Sequence, residues 1–292
     1  MITCIGEMIL DIMKDNPFSY VPGGAPYNVI KRYVNLGNKG YFCSVIGNDE
    51  EGKILKKDIS LHKNIIPFID IHPYLKTGVS YVTLDNNGDR HFLFKKHRAY
   101  EVIKKIPIKL YSTCNIFHFS SLPLTTKKGQ RKMLSMIKRL ENMNKTICFD
   151  INLRSSLFSS NKEIKKAYQK ILPHIDILKM SEEEKDIFTP LLHTLKKSCL
   201  LFITKGEKGA DVYYQDKHIY KPSIPCKCIN TLGAGDAFFA GVLYQYEQYQ
   251  NDIINHLDDI LFFAIAMGSY AVSHQQDKYP NKEELNQFMK SL

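Results

Sequence analysis

The sequence predicts an α/β protein with a doubly wound, mostly parallel central sheet, helices on both faces and a small β appendage. From residue 114 onward, apolar strands alternate with helical segments, which is typical of βα units in a parallel sheet. Residues 79–94 instead form two alternating strands around Asn87-Gly88, a hairpin signal with no intervening helix. The hairpin should therefore lie outside the parallel sheet.

The N-terminal part is expected to supply a strand, a loop and a helix, followed by a second strand and helix. The β-branched segment 2–5 ends abruptly at a glycine and a glutamate, as expected of a strand whose tip carries functional groups. Two glycines between prolines at 22–26 predict a loop, and apolar spacing predicts a helix over 27–36. A strand at 41–47 and a helix to about residue 61 follow.

The second half is expected to continue this alternation. The predicted strands lie at 114–121, 146–152, 175–180 and 200–206, and the predicted helices at about 126–143, 161–171, 181–188 and 236–249.

Composition limits the classes of function. The chain of 292 residues has a formal charge of +10, but its basic residues are scattered, which disfavours nucleic acid as the main ligand. Seven irregularly spaced cysteines favour reduced thiols. The longest apolar stretch, 260–272, is too short for a bilayer, and the N-terminus lacks a basic leader. A cytoplasmic protein without membrane contact is expected.

The segment NTLGAGDAFFAG at 230–241 carries the strongest chemical signal. Small residues at a helix start leave the first N–H groups uncovered, and these groups can hold an anion. Asp236 in the first turn could then accept a proton from an alcohol. Alternatively, Asp236 is only a favourable first-turn acid and the glycines only permit a tight turn.

Several other nucleotide-binding motifs are missing. The sequence has no GxxxxGK[ST] loop, no HRD and DFG pair, and no GxGxxG around Gly6. A phosphotransferase would therefore need another anion site, and an oxidoreductase is disfavoured.

Two separated segments resemble the signatures of the ribokinase-type (PfkB) carbohydrate kinase family: GGAPYNVIKRYVNLG at 23–37 and TLGAGDAFFAG at 231–241. Other segments are similar to the fructokinase branch, namely GDRHFLFKKHRA (88–99), IFHFSSLPL (116–124), FDINLRSSLF (149–158), LKMSEEE (178–184) and TKGEKGA (204–210). The resemblance covers nearly the whole chain.

This resemblance implies an ATP-dependent sugar kinase that uses Mg²⁺ and acts on fructose. It implies a core of residues 1–10, 22–78 and 99–292, a lid of 11–21 and 79–98 over the sugar, and a homodimer through the lids. Alternative substrates are 2-keto-3-deoxygluconate, ribose or a nucleoside. A sugar acid would need a cationic clamp, for which Lys96 and Arg98 are available. A non-catalytic sugar- or nucleotide-binding regulator is the alternative from another class.

The resemblance also assigns the catalytic centre. Asp236 matches the family's base, and Gly233, Ala234 and Gly235 match its anion hole. Because phosphoryl transfer depends mostly on positioning and charge stabilisation, these residues should dominate the rate.

The sugar side is assigned to four residues. Asp11 would accept hydrogen bonds from two hydroxyls, Gly24 would let the backbone approach, and Asn28 offers both a donor and an acceptor. Arg154 would reach phosphate. The alternatives are a solvated turn carboxylate for Asp11 and a surface ion pair for Arg154.

The nucleotide side is assigned to Thr204, Gly206 and Thr231, and Glu184 corresponds to the acid that holds the hydration shell of Mg²⁺. Phe92 and Phe94 alternate with His91 and Leu93 along the predicted lid. For both phenylalanines, packing and sugar contact are equally open roles.

The sequence departs from the family pattern at three places, which leave the response to K⁺, the adenine pocket and the sugar specificity open. Asn230 stands where many relatives carry an aspartate that helps bind a monovalent cation, so activation by K⁺ is doubtful. The tail SHQQDKYP at 273–280 replaces a glycine-containing loop and leaves the adenine pocket unmapped. Ser121 and the Ser155-Ser156 pair also differ from several relatives.

Overall fold

The structure is a computed structural model that describes residues 1–14, 16–84, 90–95, 97–103, 105–275 and 277–290. Side chains are described for all of these except residues 16–18, 84 and 90–92. The predicted turn at Asn87-Gly88, Lys96 and the side chain of Phe92 lie outside the described residues.

Thirteen strands and nine α-helices occur in the described part of the chain. The strands are β1 (Ile2–Ile5), β2 (Ile9–Met13), β3 (Asn16–Gly23), β4 (Gly40–Gly47), β5 (Ile65–His72), β6 (Gly78–Leu84), β7 (Arg90–Phe94), β8 (Ile116–Ser120), β9 (Thr146–Asp150), β10 (Ile177–Ser181), β11 (Leu200–Thr204), β12 (Ala210–Tyr214) and β13 (Lys217–Lys221). The helices are α1 (Ala25–Asn35), α2 (Glu50–Leu61), α3 (Leu110–Thr113), α4 (Lys127–Glu141), α5 (Asn161–Tyr168), α6 (Glu182–Phe188), α7 (Ala234–Tyr249), α8 (Leu257–Ser273) and α9 (Lys282–Lys290).

Nine strands form the central sheet in the order β13-β12-β11-β10-β9-β8-β1-β4-β5. All neighbouring pairs from β11 to β5 are parallel, and only the pairs of β12 with its two neighbours are antiparallel. The prediction of a mostly parallel sheet is therefore confirmed. The antiparallel edge, β12 and β13, was not anticipated from the sequence.

Helices cover both faces of this sheet. One apolar cluster joins the sheet to α1, α7 and α8, and a second joins the opposite face to α4 and α5. Helix α1 begins at Ala25, two residues earlier than predicted, because Pro26 fits the first helical turn, where its missing N–H costs nothing. Among the described residues, no helix has the length and apolar character needed to span a bilayer.

The strand order reverses at β1, which lies between β4 and β8. Successive connections therefore leave in opposite directions from this point, and a crevice opens beyond the carboxyl ends of the strands. Gly6 and Glu7 follow β1 directly at this edge. The topology thus places the short polar segment after the first strand at the usual binding position of a doubly wound fold.

A second, four-stranded sheet has the order β3-β2-β6-β7. Strands β6 and β7 pair antiparallel, as the hairpin signal predicted, and β2 pairs parallel with β6. The small sheet therefore joins two distant segments of the chain beside the crevice. The division into a core and a lid at the residue bounds given above stays a prediction.

Candidate active site

A cavity of about 150 Å³ lies beyond the carboxyl ends of the central strands. Seven of the twelve residues singled out as site residues line it: Asp11, Gly24, Asn28, Arg154, Gly233, Gly235 and Asp236. These residues are scattered along the chain from β2 to α7. The fold brings them together around one small space.

Asp236 lies in the first turn of α7 and is only 8% exposed. The helix begins after Gly233, which adopts a left-handed conformation with φ of 74°. The Asn28 side-chain amide donates a hydrogen bond to Asp236 Oδ2 over 2.9 Å. This bond fixes one carboxylate oxygen and orients the group within the cavity, so Asp236 is more than a solvated first-turn acid.

Gly24 and Asp11 form another wall of the cavity. Gly24 has φ of 109°, and a Cβ there would lie 2.4 Å from the carbonyl oxygen of Glu7, so only glycine fits. Asp11 belongs to strand β2 rather than to a solvated turn, and its Oδ1 is buried without a hydrogen-bond partner among the described residues. Burial raises the pKa of Asp11 to about 6, against the opposing effects of the Ser80 hydroxyl and of the Arg154 charge. An unsatisfied buried carboxylate oxygen is a ready acceptor for a ligand hydroxyl.

Arg154 and Phe94 meet across the cavity. The guanidinium carbon lies 5.5 Å from the Phe94 ring centroid, a cation–π distance. Phe94 comes from the small sheet, whereas its neighbour Leu93 is 63% exposed on the other face. The alternation along β7 therefore turns Phe94, and not Leu93, toward the site.

The residues assigned to the nucleotide lie outside the cavity lining. Thr204 ends β11, and its hydroxyl donates to the carbonyl oxygen of Met180 over 3.4 Å. Gly206 has φ of 57°, and a Cβ there would meet nothing within 4 Å, so the surrounding space is open. Thr231 is exposed in the loop before α7.

Glu184 forms a capping box at the start of α6. Its Oε2 accepts the Ser181 N–H over 2.8 Å, and its Oε1 accepts the Leu153 N–H over 2.5 Å. The carboxylate thus ties α6 to the segment that carries Arg154. Its role toward Mg²⁺ stays a prediction. No group of three or more His, Cys, Asp or Glu side chains in the described ranges could hold a metal by itself.

A buried ion pair, missed by the sequence analysis, lies at the wall of the cavity, which Lys179 helps to line. Lys179 Nζ donates to both carboxylate oxygens of Asp150 at 3.0 Å, and Asp150 is fully buried. Burial raises the pKa of Asp150 to about 7, although Lys179 opposes this shift. A Cβ on Gly235 would lie 2.8 Å from Lys179 Nζ, so the ammonium group is adjacent to the α7 turn.

Strand register explains this pair. Asp150 on β9 and Lys179 on β10 are partners in the parallel ladder, and Ser120 on β8 is the partner of Asp150 on its other side. Side chains at one level of adjacent strands project from the same face. A single charged residue near the end of each apolar strand was the available sequence signal.

Glu7 was also missed as a site residue. It lines the cavity, accepts a hydrogen bond from the Ser120 hydroxyl, and accepts the Ala25 N–H over 3.3 Å. Burial raises the pKa of Glu7 to about 7, and the bond to Ser120 opposes the shift. Its abrupt position after β1 was noted in the sequence, but only the fold shows that it is 4% exposed.

Glu7→Gln is expected to make stability less sensitive to pH. The folded-state pKa of about 7 lies above the ordinary value, so the folded protein binds this proton more tightly, and stability falls as pH rises from about 4 to 7. Removing the carboxyl should abolish a decrease of up to about 3 kcal/mol in the free energy of unfolding across this pH window. Urea unfolding of both proteins at pH 5, 6 and 7.5 measures the difference.

Glu283→Gln, at an exposed position in the first turn of α9, is the matched control and should follow the wild-type pH dependence. Parallel pH profiles for wild type and Glu7→Gln would contradict the expectation.

The fold and this site define a class of protein: an α/β enzyme with an acid and a glycine-rich helix start facing a small polar cavity. The chain belongs to the pfkB family of carbohydrate kinases, whose family model matches residues 1–284. It is therefore a sugar kinase, as the resemblance predicted.

Individual relatives agree with this assignment. The chain is 29% identical to a probable chloroplastic fructokinase-6 of Arabidopsis thaliana, over 93% of this chain and 77% of that protein. Its fold matches fructokinase with bound ATP from Xylella fastidiosa with a TM-score of 0.90, over 99% and 98% of the two chains at 24% identity. It also matches aminoimidazole riboside kinase from Salmonella enterica with a TM-score of 0.84, over 100% of each chain at 23% identity. At such identities the two structures show the fold alone.

Proposed function

We propose that this sugar kinase is an ATP-dependent fructokinase that phosphorylates a primary hydroxyl of fructose. The observation that carries the proposal is the convergence of Asp236, Asn28 and Asp11 on one cavity at the start of α7. This arrangement supplies a base, an adaptable amide and an unsatisfied carboxylate oxygen within the same small space. The similarity to plant fructokinases supports fructose as the sugar.

In the proposed reaction, the sugar's primary hydroxyl oxygen attacks the γ-phosphorus of ATP. The new O–P bond forms as the bond to the β–γ bridging oxygen breaks, ADP leaves, and the hydroxyl proton passes to Asp236. Asn28 orients the carboxylate through Oδ2, which leaves Oδ1 as the proton acceptor. In this proposal, proton transfer and nucleophilic attack both occur at one end of α7.

The start of α7 would stabilise charge on the transferred group. The Ala234 N–H donates to the Thr231 carbonyl oxygen over 3.3 Å, so the Gly233 and Gly235 N–H groups are the proposed anion donors at the positive end of the helix dipole. Mg²⁺, when bound with ATP, would neutralise phosphate charge, and such ions keep several waters and use few protein carboxylates. Glu184 is the carboxylate proposed for this hydration shell, with Thr204, Gly206 and Thr231 on the nucleotide side.

The small sheet would close the sugar site. Phe94 lines the cavity and packs over Arg154, so a sugar bound against Asp11 would be covered by an aromatic ring. Exclusion of water matters because water would compete with the sugar as phosphoryl acceptor. Closure over the substrate is therefore part of the proposed function.

The sugar-acid alternative finds less support. Arg98, one of the two cations considered as a carboxylate clamp, does not line the cavity; its backbone N–H donates to Glu101 Oε1 over 3.1 Å. Lys96 lies outside the described residues. Arg154 is a cation that does line the cavity, so the preference for fructose over 2-keto-3-deoxygluconate is proposed from the similarity to plant fructokinases.

The test is ADP release from Mg·ATP with fructose, ribose, 2-keto-3-deoxygluconate and a nucleoside, each over a range of concentrations. We expect kcat/KM for fructose to exceed each other value by at least about tenfold. Asp11→Asn should raise KM for fructose and leave KM for ATP within about twofold. Preference for another sugar would overturn fructose, and no turnover with any of them would favour the non-catalytic regulator.

Added K⁺ is expected to change the rate by less than about twofold. The side-chain oxygen of Asn230 accepts the Leu232 N–H over 3.0 Å, and an amide lacks the negative charge that would hold a monovalent cation strongly. Rates should be compared in KCl and in tetramethylammonium chloride at equal ionic strength. A several-fold rise in KCl would refute this expectation, and Asn230→Asp tests whether the charge alone creates a response.

The homodimer through the lids and the cytoplasmic location stay predictions, for which solution mass and cellular fractionation are the direct measurements.

A further inference from the structure

An arginine on α1 packs directly behind the start of α7. Arg32 is 3% exposed, and a Cβ added to Gly233 would lie 2.6 Å from its Nη2 and 3.3 Å from its Cζ. The guanidinium therefore occupies the space beside the left-handed glycine from which α7 begins. Asn28, one helical turn earlier on the same face of α1, bonds Asp236. One face of α1 thus contacts both the base and the turn that precedes it.

The C-terminal segment holds this arginine in place. The Arg32 Cζ lies 4.9 Å from the centroid of the Tyr279 ring, and the Asn35 side-chain amide donates to the Tyr279 carbonyl oxygen over 2.8 Å. Tyr279 belongs to SHQQDKYP, the tail that departs from the family pattern. The unusual tail therefore has a structural partner, which is a cation beside the active site.

The charge of Arg32 is incompletely compensated. Its Nη1 donates to the carbonyl oxygen of Asn28 over 3.2 Å, but no carboxylate oxygen among the described residues lies within 4.0 Å. A guanidinium stays protonated in proteins, and buried charges are normally paired with an opposite charge. Lys179, on the Gly235 side of the same turn, is instead paired with Asp150. Among the described residues in contact with this turn, Arg32 is thus a cation whose charge remains available to a bound anion.

We infer that Arg32, held by Tyr279, is a positioning residue that supplies a fixed positive charge behind the anion site of α7. The inference rests on the proposed function, because the anion is the phosphate chain of the nucleotide, whose α- and β-phosphates remain in ADP next to the position of the transferred group. Arg32 acts by packing against Gly233 and through the electric field of its guanidinium. It does not need to contact phosphate. An excess charge in a water-poor site acts over several ångströms because screening there is weak.

The test compares the binding of ADP and adenosine by calorimetry, since the two ligands differ only in phosphate. Arg32→Met should weaken ADP binding about tenfold or more and leave adenosine binding within about twofold. Arg32→Lys keeps the charge and should recover most of the ADP affinity. Thermal unfolding of each variant establishes that it is folded.

Lys31→Met is the matched control. Lys31 is also buried on α1 and lies 5.6 Å from the same Tyr279 ring, but its ammonium group donates to the Pro22 carbonyl oxygen. The ratio of ADP to adenosine affinity should stay unchanged in this variant. Tyr279→Ala should weaken ADP in the same direction as Arg32→Met, and Tyr279→Phe, which keeps the ring, should not.

Two results would overturn the inference. Equal losses of ADP and adenosine affinity in Arg32→Met would show that Arg32 only packs the turn, and an unchanged ratio would show that its charge does not reach the phosphates. Wild-type protein that binds ADP no better than adenosine would also overturn it. Absence of turnover on the sugar panel, with the ADP difference intact, would instead count against the proposed function alone.

Discussion

Asp236→Asn is expected to lower kcat by about 10²–10⁴-fold, the range typical for removal of a general base. The amide keeps an oxygen that can accept the hydrogen bond from Asn28, so the local structure should persist while the proton acceptor is lost. KM for the sugar and the affinity for ADP should change little, because the interaction removed belongs to the transition state. Steady-state ADP release and calorimetric ADP binding measure the two effects separately.

Asp258→Asn is the matched control for this variant. Asp258 also lies in the first turn of a long helix, α8, but its side chain is 60% exposed and pairs with Lys221. If first-turn charge were all that Asp236 contributed, the two variants would behave alike. We expect Asp258→Asn to retain activity within about twofold of the wild type. If Asp236→Asn were equally active, the Asp236 carboxylate would not be the catalytic base.

Lys179→Met is expected to lower the free energy of unfolding by about 3–5 kcal/mol near pH 8, the cost of leaving a buried partner uncompensated. Asp150 is fully buried, and Lys179 provides both hydrogen bonds to its carboxylate. The pKa of Asp150 is already raised by burial to about 7 with the lysine present. Protonation can relieve the unpaired charge, so the loss should shrink as pH falls toward 5.

The double variant Asp150→Asn/Lys179→Met should recover most of the lost stability, because it removes both charges together. Lys196→Met is the control from a more exposed network, where Lys196 contacts Asp176 and Glu141 and its side chain is 26% exposed. That variant should lose no more than about 1 kcal/mol. Equal losses in the two lysine variants, measured by urea unfolding, would contradict the assignment of a buried, essential pair.

The sequence was most informative where local patterns and local chemistry coincide. The alternation of apolar strands and helices after residue 114 predicted the parallel sheet, because each element carries its own periodicity. The segment 230–241 predicted both a helix start and its acid, since glycines and a first-turn carboxylate are adjacent in the chain. Both features depend on few residues beyond the segment itself.

Other parts of the site could not be obtained in this way. Glu7 was visible as a strand-end residue, but its contacts with Ser120 and Ala25 depend on two other segments. Glu184 was assigned from a motif, whereas its hydrogen bonds to the Ser181 and Leu153 amides give it a positioning task that the motif does not indicate. The burial of a side chain and its hydrogen-bond partners depend on distant segments of the chain. A single sequence does not show which segments these are.

By itself, the sequence determined the class of fold, the family and the acid at the start of α7, because periodicity and short motifs are local properties. Only the tertiary structure decided that Asp150 pairs with Lys179, that Asp11 Oδ1 is buried without a hydrogen-bond partner in the described part of the chain, and that Tyr279 holds Arg32 behind Gly233. Strand register and the packing of α1 against α7 create these contacts across up to about 250 residues of chain. The electrostatics of the site thus arise from burial, which exists only in the folded molecule.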